Sequence, residues 1–134
     1  MIGLDTNVLV RILTNDDPEQ KRAAGAHLTS HCADSDPAFI SREVILEAVW
    51  VLERSFDYGR PDVARAVQSV LETVIFFVED ADLVAAANRG YLDGADFADA
   101  MIAAVDIANG CLATATFDRA AASRFGQFEL IEAR

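Results

Sequence analysis

Positive charge is scarce in this chain. Lys21 is the only lysine, and ten arginines complete the 11 basic residues, against 22 acidic ones, for a net charge of −11. That balance excludes a broad basic surface that holds nucleic acid by neutralising its phosphates. An acidic body instead concentrates divalent cations or basic partners. Cysteine is as sparse. Cys32 and Cys111 are the only two, too few for a disulfide framework, and both are expected to be reduced and mostly structural. No apolar run approaches the ~20 residues of a membrane span. The N-terminal stretch MIGLDTNVLVRIL is broken by Asp5, which a leader peptide would not tolerate. A cytosolic protein without membrane contact is the expectation. Repeats, linkers and low-complexity segments are lacking too.

What is present is a chain of 134 residues that is 52% hydrophobic, enough to fill the core of a single domain over residues 1–134. MIGLD reads as a buried strand and TNVLVRILT as the helix after it. Asp17, with Pro18 at the first helical position, opens a helix to about His31. AFI at 38–40 is a second strand, followed by a helix over 42–56. Arg60-Pro61-Asp62 starts another helix to about Thr73. IFFV at 75–78 is a third strand. Helices follow over 80–92 and 97–109, the latter stopped by Gly110. CLATAT at 111–116 is a fourth strand, a short helix starts after Asp118, and FELI at 128–131 is an edge strand. Alternation of this kind predicts an α/β fold: a three-layer α/β/α sandwich around a central, mostly parallel sheet of four to five strands. Ligands bind such sheets at the edge where the strand C-termini gather.

Glu47 stands alone among apolar residues in VILEAVWVL, residues 44–52. Ser41 caps the stretch as a helix, and a helix apolar on every side is packed on most of its surface. A carboxylate there is costly unless something positive meets it, and Glu43, one turn back, adds repulsion. Three more acids sit at telling places. Asp5 ends the first strand in LDTN, Asp99 lies in the first turn of helix 97–109, and Asp118 ends the fourth strand in TATFD. Each has an ordinary alternative. Asp5 and Asp118 suit helix caps, Asp99 suits a first-turn acid behind Asp96 as cap, and Glu47 suits a partner arginine. One explanation covers all four. The fold expectation carries them to one sheet edge, where a divalent cation would hold them together, and oxygen-only donors select Mg²⁺ or Mn²⁺.

Taken in order, LDTNVLVRIL, EVILEAVWVL, FADAMIAA and ATFD resemble the PIN-domain ribonucleases, and more closely the VapC-type toxins of bacterial toxin–antitoxin pairs. The resemblance implies a Mg²⁺-dependent endoribonuclease, with Mn²⁺ as a substitute, that hydrolyses RNA phosphodiester bonds by metal-activated water. It implies catalytic, metal-holding acids at Asp5, Glu47, Asp99 and Asp118, the first and third innermost. Polar helpers carry over onto Asn7 and Thr116. Asp96 matches an additional acid found in part of the family, and Glu43 is the rival for the place of Glu47. A cognate antitoxin that covers the crevice and a homodimer are also implied.

Other signals are weaker. Arg11, Arg42 and Arg119 fall near strand C-terminal ends and are candidate phosphate contacts. His27 and His31 have the i,i+4 spacing that chelates zinc, but Cys32 follows too directly to join them, so the segment reads as a helix end. FDYGR at 56–60 offers exposed-looking aromatics, as a partner surface or as an ordinary loop. The alternative from another class is a non-catalytic or signalling α/β module, receiver-like, with an acidic Mg²⁺ pocket. A receiver needs paired acids after the first strand and a lysine after the last. Here Asp5 stands alone, and Lys21 lies in an early helix.

Overall fold

In the computed structural model, residues 1–133 are described. Along the chain run β1 (Ile2–Gly3), α1 (Thr6–Leu13), α2 (Pro18–His31), β2 (Ala38–Ile40), α3 (Arg42–Arg54) and α4 (Arg60–Glu72). They are followed by β3 (Phe76–Val78), α5 (Ala81–Leu92), α6 (Phe97–Ala108), β4 (Thr114–Thr116), α7 (Arg119–Arg124) and β5 (Phe128–Leu130). This is an α/β architecture with parallel strands. The contacts divide it into two compact units, Met1–Ala81 and Asp82–Arg134. Among the described residues no helix is long and apolar enough to cross a membrane.

The first unit holds a parallel sheet in the order β1-β2-β3, with Ile2 opposite Ala38 and Ala38 opposite Phe76. Its helices form where caps and apolar spacing coincide. Ser41 accepts from the Val44 N–H at 3.2 Å to start α3, and Asp17 accepts from the Gln20 N–H at 3.1 Å to start α2. The inward faces of α1, α3 and α4 meet through Leu9, Ile45, Val49, Leu52, Val67 and Val70, all buried. Each large aliphatic chain buried there contributes about 1.5–3 kcal/mol.

The second unit pairs β4 with β5 in parallel, Thr114 opposite Phe128. Tyr91 and Phe97 meet edge to face at 5.7 Å, and Phe125 tilts against Phe128 at 5.5 Å. The end of α6 explains why β4 starts later than the predicted residue 111. Gly110 takes a left-handed φ of 81°, and the Cys111 N–H donates back to the Asp106 carbonyl at 2.9 Å. This Schellman cap satisfies the last carbonyls of the helix and keeps Cys111 out of the strand.

The fold class is as expected, with fewer strands per sheet, three in the first unit and two in the second. The strands are short, two or three residues each, and the Phe39 carbonyl of β2 also accepts from the Leu4 N–H at 3.0 Å. One expectation needs correction. Cys111 is exposed and Cys32 only half-buried, so neither anchors a core.

Candidate active site

Two of the four acids named from the sequence, Asp5 and Asp118, are helix caps, and so is Asp96. Asp5 Oδ1 accepts from the Val8 N–H at 3.0 Å at the start of α1. Asp96 Oδ2 accepts from the Asp99 N–H at 3.0 Å at the start of α6. Asp118 Oδ1 accepts from Ala120 and Ala121 at 2.9 and 3.2 Å at the start of α7. Asp99, in the first turn of α6, is the exception. The ordinary capping alternatives are therefore real for Asp5, Asp96 and Asp118. They also fix Asp5 and Asp118 at strand-to-helix junctions and Asp96 between α5 and α6, each on a positive helix end. Thr116 supports one of them: its hydroxyl oxygen accepts from the Asp118 N–H at 3.0 Å.

Glu47 is not where its apolar neighbours suggested. Helix α3 buries one face only, through Ile45, Ala48, Val49 and Leu52. Glu43, Glu47, Trp50 and Arg54 follow one another at i, i+4, i+7 and i+11, and all four are exposed. Helical geometry stacks those positions on one stripe. Exposed to water, Glu47 carries no burial cost, so the case for a cation does not rest on burial. It rests on neighbours. Asp5, Thr6, Asn7, Glu43, Val44 and Glu47 line an open cleft of about 320 Å³, with no basic residue among them. The sequence-based alternative of an arginine partner for Glu47 fails: among the described residues no salt bridge reaches it. Glu43, expected only as a rival, shares the cleft with Glu47.

The second unit contributes a similar crowding. Asp99 is half-buried. Burial first, then the charges of Asp96 and Asp118, raise its carboxyl above the ordinary aspartate value. Burial and like charges both disfavour the ionised form, and a cation bound nearby would favour it. Among the described residues no three His, Cys, Asp or Glu side chains are already gathered as a metal-ligating cluster. The donor chemistry nevertheless fits a hard ion. Asp5, Glu47, Asp99 and Asp118 offer only oxygen, and Asp5 uses one of its two oxygens as a cap.

The three arginines expected to hold phosphate are all engaged. Arg11 donates to Gln20 at 2.7 Å and pairs with Asp16 at 3.3 Å. Arg42 lies 3.6 Å from Glu79 and 3.5 Å from Asp80, and Arg119 lies 3.6 Å from Glu132. His27 and His31 stack at 4.1 Å on the exposed end of α2 without a third ligand, in keeping with a helix end. The aromatics of FDYGR are half-buried, with Phe56 edge-on to Tyr58 at 6.4 Å, which favours the ordinary loop.

No curated protein matches the chain. A family model does: the PIN domain, over residues 2–126. That span includes Asp5, Asn7, Glu47, Asp96, Asp99, Thr116 and Asp118 and sets the receiver-like alternative aside. PIN domains are typically Mg²⁺-dependent nucleases, and this chain belongs to the PIN-domain family.

Proposed function

We propose that the chain is a Mg²⁺-dependent endoribonuclease of VapC type in which Asp5, Glu47, Asp99 and Asp118 serve one reaction. The observation that carries this reading is the uncompensated cleft, where Asp5, Glu43 and Glu47 share a wall with no basic side chain. Exposed carboxylates gathered in this way offer hard oxygen donors to a divalent ion. A divalent cation, when bound, supplies positive charge at the phosphate and Lewis acidity for the attacking water.

The chain's own residues do the rest. Asp5 and Glu47 in the first unit, and Asp99 and Asp118 in the second, would offer carboxylate oxygens to a cation, with Asp5 and Asp99 as its proposed innermost ligands. The Thr116 hydroxyl steadies the backbone of Asp118 at 3.0 Å, and Asn7, exposed beside Asp5 in the same cleft, orients a ligand or the phosphate. Asp96 keeps Asp99 electrostatically poised. Mn²⁺ serves in place of Mg²⁺ because both prefer oxygen donors. A cognate antitoxin that covers the crevice and a homodimer belong to the same VapC-type reading.

The test is cleavage of total cellular RNA by the purified protein, with Mg²⁺, with EDTA, and with Asp5→Asn or Asp99→Asn. Discrete fragments that require the metal and both aspartates are expected. Fragments that persist unchanged in Asp5→Asn would sink the proposal. A candidate antitoxin is tested by adding it to the same reaction, since a true one abolishes those fragments.

A further inference from the structure

The exposed stripe of α3 does not end at its acids. One turn beyond Glu47 stands Trp50, the only tryptophan of the chain, 55% exposed. An indole left in water on a helix whose other face is packed is an uncommon use of the largest apolar side chain. One turn further, the Arg54 guanidinium lies over the indole, 5.7 Å from the ring centroid. Unlike Arg11, Arg42 and Arg119, Arg54 makes no hydrogen bond or ion pair among the described residues.

We propose that Trp50 and Arg54 form a platform for one unpaired nucleotide of the RNA, the base stacking on the indole and Arg54 meeting a backbone phosphate. The proposal rests on the nuclease reading and names its substrate as single-stranded RNA. Three observations select that occupant. Trp50 is three residues from Glu47 on the same stripe, about 4.5 Å along the helix axis, roughly one nucleotide step of a strand at about 3.4 Å. The cleft that Glu47 lines is continuous with that stripe through Glu43 and Glu47. An indole with a guanidinium over one face, and no carboxylate on that guanidinium, matches a base stacked on the other face and its phosphate. A base within a duplex offers no open face to such a platform, so unpaired RNA is required.

Because Trp50 is the only tryptophan, its fluorescence reports on the platform directly. The protein, with Ca²⁺ in place of Mg²⁺ to suppress cleavage, is titrated with short random-sequence single-stranded RNA and with a duplex of the same length. Saturable quenching by the single strand, and little by the duplex, is expected. Binding of fluorescein-labelled RNA, read by anisotropy, then compares variants. Trp50→Ala is expected to weaken binding about five- to a hundredfold, with Trp50→Phe recovering most of the loss. Arg54→Gln is expected to weaken it about tenfold or more and to flatten the salt slope by about 0.7. Both side chains are exposed, and coincident urea melts will show that the fold is intact.

Cleavage of the same RNA with Mg²⁺ separates the two readings. If RNA is cut but Trp50→Ala and Arg54→Gln bind it within about twofold of the wild type, the platform is refuted and the nuclease stands. Binding that needs both side chains, without cleavage by any preparation, keeps the platform and removes the nuclease. If RNA is neither bound nor cut, both fall. Trp50 fluorescence that follows protein concentration rather than RNA would assign the indole to a contact between copies of the chain and overturn the platform.

Discussion

At the scale of single residues, the acids of this chain each do two things, and substitutions must separate them. Asp5 caps α1 through the Val8 N–H and is also a proposed metal ligand. Alanine removes both roles and is expected to lower stability by about 1 kcal/mol, whereas asparagine keeps the cap within a few tenths. Urea melts of Asp5→Ala and Asp5→Asn check this. Equal stability of the two would mean that α1 starts without its cap. Asp99 offers a charge-specific readout. Burial, Asp96 and Asp118 raise its carboxyl, so the folded chain holds that proton more tightly than the unfolded one. The contribution of Asp99 to stability therefore falls as pH rises through the carboxylate range. In metal-free melts from about pH 4 to about pH 7, Asp99→Asn is expected to gain on the wild type as pH rises. A gap that stays flat would remove the like-charge crowding around Asp99.

At the scale of elements, most boundaries were legible because start signals and apolar runs agree. Ser41 and Asp96 each precede an apolar period and Asp17-Pro18 is a start signal by itself, and α2, α3 and α6 begin at Pro18, Arg42 and Phe97. What failed was the direction of a face. VILEAVWVL is so uniformly apolar that composition hides its amphipathicity. Only the spacing of Glu43, Glu47, Trp50 and Arg54 marks the exposed stripe, and that signal was available to sequence reading. The ion pairs of Arg11, Arg42 and Arg119 were hidden from the sequence for a different reason. Their partners Asp16, Glu79 and Glu132 sit at separations of five to 37 residues that no local pattern encodes. Helix α2 carries a prediction of its own. Gly25 lies mid-helix, and a Cβ there meets nothing within 4 Å. Gly25→Ala is expected to raise stability by about 0.5–1 kcal/mol in urea melts. No gain would mean that α2 is frayed around that turn. The same change at Gly94 must destabilise, since φ there is 109° and Arg124 Nη1 lies 2.8 Å from the added atom.

At the scale of the whole molecule, the acidic balance and the proposed substrate pull against each other. A body of net charge −11 repels a polyanion, and that repulsion is long-ranged at low salt. Screening by monovalent salt weakens it but supplies no attraction, whereas a cation held at the acids changes the sign of the local field. Affinity for single-stranded RNA is therefore expected to be weak in EDTA and to rise steeply with Ca²⁺. NaCl at matched ionic strength should not reproduce the rise. Asp5→Asn and Asp99→Asn each remove one acid from the proposed ion site, so they should blunt the Ca²⁺ effect even though each lowers the net negative charge. Isotropic charge neutralisation predicts the opposite order, with the less acidic variants binding RNA better under all conditions. Anisotropy titrations of the three proteins, in EDTA, in NaCl and in Ca²⁺, decide between a field set by the whole surface and one set by a few placed carboxylates.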